Sequence, residues 1–94
     1  MRIGKVIGNI WATRKEARLG GFKLMLVQTI NIADGSLVGE PIVATDLIDA
    51  GVGETIIYVA GSSARTASGN SSLPVDATII AIVDNYDADF GLLK

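Results

Sequence analysis

Short acids and one arginine–serine segment are the side chains in this 94-residue sequence whose type and place could do chemistry. Asp46, Asp49, Asp76 and Asp84 fall near the ends of expected strands, where a hydrolytic pair of carboxylates can sit. The chain has no histidine, so a proton-transfer site would need two such acids in close geometry. Caps, turns and ion pairs use the same residues at the same places, and that plainer role is the expected one. Gly61-Ser62-Ser63-Ala64-Arg65 supports three readings. It can be an anion site built from donors and a planar guanidinium, or a helix cap beside a solvated arginine. It can also be an arginine held across a subunit interface by an acid such as Asp76. Gly51-Val52-Gly53 begins like a dinucleotide-binding fingerprint, but Ile56 stands where the third glycine belongs. The segment also precedes a strand instead of opening a helix, so it reads as a tight turn. No catalytic residue, cofactor site or metal-ligand set emerges.

Composition narrows the field further. Cysteine is absent along with histidine, which removes disulfides, thiolate catalysis and the commonest transition-metal ligands. Eight basic and ten acidic residues give a net charge of -2, the wrong sign for a polybasic nucleic-acid or membrane binder. Apolar residues make up 49%, a globular composition. No stretch approaches the roughly 20 apolar residues of a membrane helix, and the first residues lack a signal-peptide pattern. A soluble intracellular protein is the expectation. A chain this short has little core of its own, so oligomerisation is the expected support.

The elements that would carry these residues are mostly strands. Residues 2–13 are rich in β-branched and aromatic side chains, but Val6-Ile7 and Ile10-Trp11 are apolar neighbours, so both faces are apolar in places. Gly4 and Gly8 suit a bend, a bulge or a close backbone approach. A polar connector over 14–21 ends at Gly20-Gly21. Over 22–32, Phe22, Leu24, Leu26, Ile30 and Ile32 share one face, and Met25 and Val27 occupy the other. Ala33-Asp34-Gly35-Ser36 reads as a hairpin turn, followed by a brief pairing at 37–39 and a short strand at 41–45. Residues 46–51 read as a single turn or a loop, with Asp46 as a candidate N-cap. A strand at 55–60, a short serine-capped helix within 61–67, a polar loop at 68–73 and a last strand at 77–84 complete the pattern. Residues 85–94 pack on a neighbour or fray. About five short strands and one short helix predict an all-β, OB-like barrel. Residues 1–85 are expected to form the barrel domain and residues 86–94 its tail.

Several segments, taken in order, resemble the bacterial microcompartment vertex family, the carboxysome and ethanolamine-type pentameric shell proteins. They are residues 8–15 (GNIWATRK), 21–28 (GFKLMLVQ), 43–46 (VATD), 51–54 (GVGE), 61–65 (GSSAR), 74–77 (PVDA) and 82–84 (IVD). Together they span nearly the whole chain. The resemblance implies an OB-like barrel assembled as a cyclic ring, a homopentamer that caps the vertices of a polyhedral shell in the bacterial cytoplasm. A sheet of hexagons cannot close without pentagons, so hexameric shell proteins are the implied partners. A ring needs a heterologous interface. Ser62, Ser63 and Arg65 are expected on one side of it, with Asp76 or Asp46 on the other. Gly51, Gly53 and Glu54, or the Ser62-Ser63 segment, are candidates for a narrow central opening. No enzyme activity, cofactor, nucleic acid or membrane is implied. The competing readings are an OB-like binding module for a small ligand or single-stranded nucleic acid, and a carboxylate hydrolase.

Overall fold

The computed structural model describes residues 1–12, 15–69 and 73–93. The start of the 14–21 connector and residues 70–72 of the 68–73 loop lie outside the described residues. Five strands appear in chain order: β1 (Arg2–Ile10), β2 (Lys23–Ile30), β3 (Leu37–Asp46), β4 (Thr55–Ala60) and β5 (Ala77–Ile82). One short helix, α1 (Ser62–Ala67), lies between β4 and β5. The strands close into a barrel in the order β1-β2-β3-β5-β4, with β4 returning to β1. All pairings are antiparallel except β3–β5, which is parallel and spans only Thr45↔Thr78 and Asp46↔Ile79.

Two irregularities explain the broken alternation in the sequence. The β1–β2 register slips between Val6 and Gly8, so Ile7 is the extra residue of a bulge and the adjacent Val6 is free to turn inward. The β2–β3 register slips between Val27 and Thr29. Gln28 sits at that slip and donates through Nε2 to the carbonyls of Val38 (2.9 Å) and Gly39 (3.0 Å). The slip also accommodates Pro41, which has no N–H to give to a ladder. The brief pairing expected at 37–39 and the strand expected at 41–45 are therefore one continuous β3.

The core consists of Val6, Met25, Val27, Ala44, Ile56, Tyr58, Ala77 and Ile79, joined by Ala50 from the loop after β3. On β2 the shorter apolar set, Met25 and Val27, faces inward, whereas Leu24 and Leu26 are only half-buried. Tyr58 brings a hydroxyl into this core and shares a 2.6 Å hydrogen bond with Thr29. Among the described residues no buried side-chain polar atom lacks a partner.

Gly4 lies where β1 crosses closely over β2. A methyl group there would stand 2.9 Å from the Gln28 carbonyl oxygen and 3.0 Å from Val27 Cγ1. The backbone oxygen cannot move without opening the β1–β2 ladder. Gly4→Ala is expected to cost about 1–3 kcal/mol by overpacking. A thermal melt at fixed protein concentration would show the lowered midpoint, and an unchanged midpoint would contradict the close approach.

Candidate functional site

The segment around Arg65 is fastened to the barrel by hydroxyl groups. Thr78 Oγ1 donates to the Ala64 carbonyl (3.0 Å) and lies 2.8 Å from Thr45 Oγ1 and 3.0 Å from Ser68 Oγ. Thr45 and Thr78 are also the first residue pair of the parallel β3–β5 junction. One fully buried threonine thus ties α1 to the seam where the barrel closes. Thr78→Val keeps the shape and deletes the hub, leaving buried oxygens short of a partner. It is expected to lower stability by about 1–3 kcal/mol, read as a shifted urea midpoint.

The helix itself begins differently from expectation. Its N-cap is Gly61 at φ 64°, and no side-chain cap bond is formed, so Ser62 and Ser63 do not cap it. Only glycine adopts that backbone geometry without cost, and it turns the chain sharply out of β4. Both serines are consequently exposed in the first turn, and Arg65 is half-buried one turn later. Among the described residues Arg65 forms no ion pair within its own subunit.

The two acids proposed for the opposite side separate in the structure. Asp76 is exposed, and its carbonyl accepts the Gly61 N–H at 2.9 Å, which places it beside the start of α1. The Asp46 side chain is fully buried within the subunit. Its carboxylate accepts the N–H groups of Ile48 (3.0 Å) and Ala50 (2.8 Å), and so shapes the loop after β3 without starting a helix. Lys23 Nζ stands 3.8 Å from Asp46 and 2.6 Å from Asp49. Asp49 occupies the left-handed region at φ 61°, a conformation aspartate tolerates better than most residues. The Lys23 ammonium holds the Asp49 carboxyl below its usual range, chiefly through their hydrogen bond, and the same bond raises Lys23. Stability from the lowered acid is present at neutral pH and disappears as pH falls through that depressed value.

The Gly51–Glu54 turn is laced to β1. Gly53 N–H donates to the Val6 carbonyl and Val6 N–H to the Glu54 carbonyl. The Glu54 carboxylate folds back to accept the Gly51 N–H. Val52 and Gly53 are left at the exposed tip, with Gly53 at φ 94°.

The apolarity of both strand faces takes form as an outward apolar surface. Trp11 is 86% exposed, Leu37 69%, Val52 56% and Val43 47%. Leu24 and Leu26 add half-buried apolar area to the outer face of β2. Leu24 and Leu26 on β2, Val43 opposite Leu26 on β3 and Trp11 beside Leu24 form an outward apolar strip of the kind suited to contact with another protein. The sequence signal was the apolarity of both strand faces.

The chain matches the family described as ethanolamine utilisation protein EutN/carboxysome over residues 1–84. It belongs to this family. It is 42% identical over 88 residues to the bacterial microcompartment shell vertex protein EutN of Salmonella typhimurium, covering 94% of this chain and 88% of that one. It is 37% identical to the carboxysome shell vertex protein CcmL of Gloeobacter violaceus, covering 95% of this chain and 88% of that protein. The solved structure of the pentameric microcompartment shell protein GrpN of Rhodospirillum rubrum superposes with a TM-score of 0.83 at 36% identity. That alignment covers 95% of this chain and 100% of GrpN. For a member of this family, the outward apolar face and the Arg65–Asp76 region are the parts to weigh as contacts between copies.

Proposed function

We propose that this chain is a structural vertex protein. Five copies form a ring that closes the corners of a polyhedral bacterial microcompartment shell, in the cytoplasm, beside hexameric facet proteins. The observation that carries this reading is the near-complete overlap with a pentameric shell protein in both fold and length. The unpartnered apolar surface supports it from the physics, since a small barrel with such a face gains by burying it. The role is architectural and involves no turnover. The OB-like binding module is not favoured: the family is one of shell proteins, and the net charge of -2 opposes a nucleic-acid backbone.

The ring contact is heterologous, with one surface of a subunit meeting a different surface of the next. In this reading Ser62, Ser63 and Arg65, with Asp76 beside them at the start of α1, all lie at the ring contact, where Arg65 of one subunit meets Asp76 of the next, and Asp46 shapes its own loop from within. Among the described residues Arg65 forms no ion pair in its own subunit, and Asp76 is open to solvent, so the pair is free to form between copies. The turn at Gly51, Gly53 and Glu54 is assigned to the central opening. There Val52 and backbone would line the passage, because the Glu54 carboxylate is bound to Gly51 N–H.

Native mass spectrometry of the purified chain, followed by mixing with hexameric shell tiles, tests the proposal. A fivefold mass and closed shells that depend on the chain are expected. A monomer at micromolar concentration, with no affinity for the tiles, would overturn it.

A further inference from the structure

Strand β3 has the longest one-sided stretch in the barrel. Along one flank it pairs with β2 from Ile30↔Leu37 to Lys23↔Asp46. Along the other it meets β5 only at Thr45 and Asp46. Among the described residues no strand lies beside residues 37–43 on that second flank. All of them are exposed except the half-buried Ile42. Leu37, Val38 and Val43 give this open edge apolar side chains. At about 3.3 Å per residue it runs for about 23 Å, long enough to seat a strand of another chain. A chain that assembles with copies of itself brings such edges together at high local concentration, and an unguarded edge invites strand-on-strand growth.

The middle of that edge is broken. Val38 pairs with Thr29 and Ile42 with Val27, so Gly39, Glu40 and Pro41 stand against Gln28 alone. Gly39 takes φ 70°, which bends the strand. Gln28 is buried and holds the bulge from the β2 side through its bonds to the Val38 and Gly39 carbonyls. Pro41 offers no N–H to an incoming strand. Glu40 is exposed and, among the described residues, forms no ion pair. What is left on either side is Leu37-Val38 and Ile42-Val43, each too short to hold a strand by itself. The extra residues leave the line of the ladder, so a straight strand cannot pair with both pieces at once.

Curvature alone does not call for this composition. Gly39 and the longer β3 segment already give a bend of the kind that closing a barrel needs. A proline and an unpaired carboxylate are not required for that bend, but both blunt a strand edge. We infer that the bulge at Gly39, Glu40 and Pro41 bars strands of other copies from β3, so that subunits meet through side-chain surfaces and never by extending a common sheet. This guard works for a ring of any number and is independent of the Arg65–Asp76 pairing.

Glu40→Thr with Pro41→Thr restores an N–H and removes the charge. Both positions are exposed, and Gly39 and the core stay as they are. Light scattering after size exclusion, run over a concentration series, reads the result. The double variant is expected to show a mass about twofold or more above the parent's, growing with concentration, together with thioflavin T fluorescence. Adding Leu37→Lys to the double variant puts a charge back on the same edge and is expected to return the parent's mass. A folded double variant with the parent's mass throughout overturns the inference. So does a triple variant that stays as large as the double, since the growth then comes from another surface. If the double variant loses its β-sheet circular dichroism, Pro41→Thr alone is measured in its place. The same rise in mass is then expected, and an unchanged mass overturns the guard.

Discussion

Arg65→Ala is expected to convert the ring to monomers and partial assemblies at micromolar concentration. The guanidinium is half-buried on a helix turn tied down by the Thr78 hydroxyl, and among the described residues no acid of its own subunit pairs with it. If this helix turn lies at the proposed ring contact, the planar fork of the arginine suits a two-point contact with a carboxylate. Truncating one member of a buried, hydrogen-bonded interfacial charge pair costs about 2–5 kcal/mol. Each 1.4 kcal/mol is about tenfold in affinity, so a single contact weakens by about one and a half to three and a half orders of magnitude. The loss repeats at every joint of a ring. Asp76→Ala should act in the same direction. Arg65→Asp combined with Asp76→Arg should recover part of the assembly. Asp46→Asn should behave differently, disturbing the loop after β3 first, because that acid is enclosed in its own subunit. Native mass spectrometry separates these cases, and an Arg65→Ala variant that stays fully pentameric ends the proposed pairing.

Ile79→Ala is expected to have the largest effect on the fold itself. Ile79 is completely buried, pairs with Asp46 across the parallel seam and with Tyr58 across β4, and sits in the main core cluster. Removing a buried isoleucine down to alanine costs about 2–5 kcal/mol through lost burial and the cavity left behind. Small domains hold only about 5–15 kcal/mol in total, so the variant would stand near the threshold of folding. A large drop in the urea midpoint with an unchanged slope is the expected signature. Ile79→Val, which removes one methylene, should cost about 0.5–1.5 kcal/mol and serves as the graded control. If both variants melt like the parent, Ile79 is not at the centre of the core.

The strands were readable because β-branched residues cluster between glycine and aspartate turns, and that pattern led directly to five strands and a barrel. Which face of β2 turns inward was not readable. Leu24 and Leu26 form the more apolar row, yet Met25 and Val27 make the core, because the outer face is itself apolar. Alternation fixes sidedness only where one face is polar. The short helix was placed correctly, but its serine cap was not. A glycine at positive φ already turns the chain, and this does not show in the letters. Asp46 illustrates the limit for the site. An acid after a strand has the same appearance whether it meets a partner subunit or its own loop, and only the fold separated it from Asp76.

The parallel β3–β5 seam has a consequence for when a subunit becomes competent. It joins Thr45 to Thr78, and β5 also supplies the hydroxyl that anchors α1. Asp76 immediately precedes β5, and its carbonyl holds the turn into α1. During synthesis the first four strands emerge well before β5, and loop closure over such a separation comes late. A nascent chain that has not yet released β5 therefore lacks the seated Arg65 and Asp76 of the proposed ring contact. On the proposed pairing, a chain without β5 presents no ring contact, so closure of the barrel would set the moment at which a subunit can assemble.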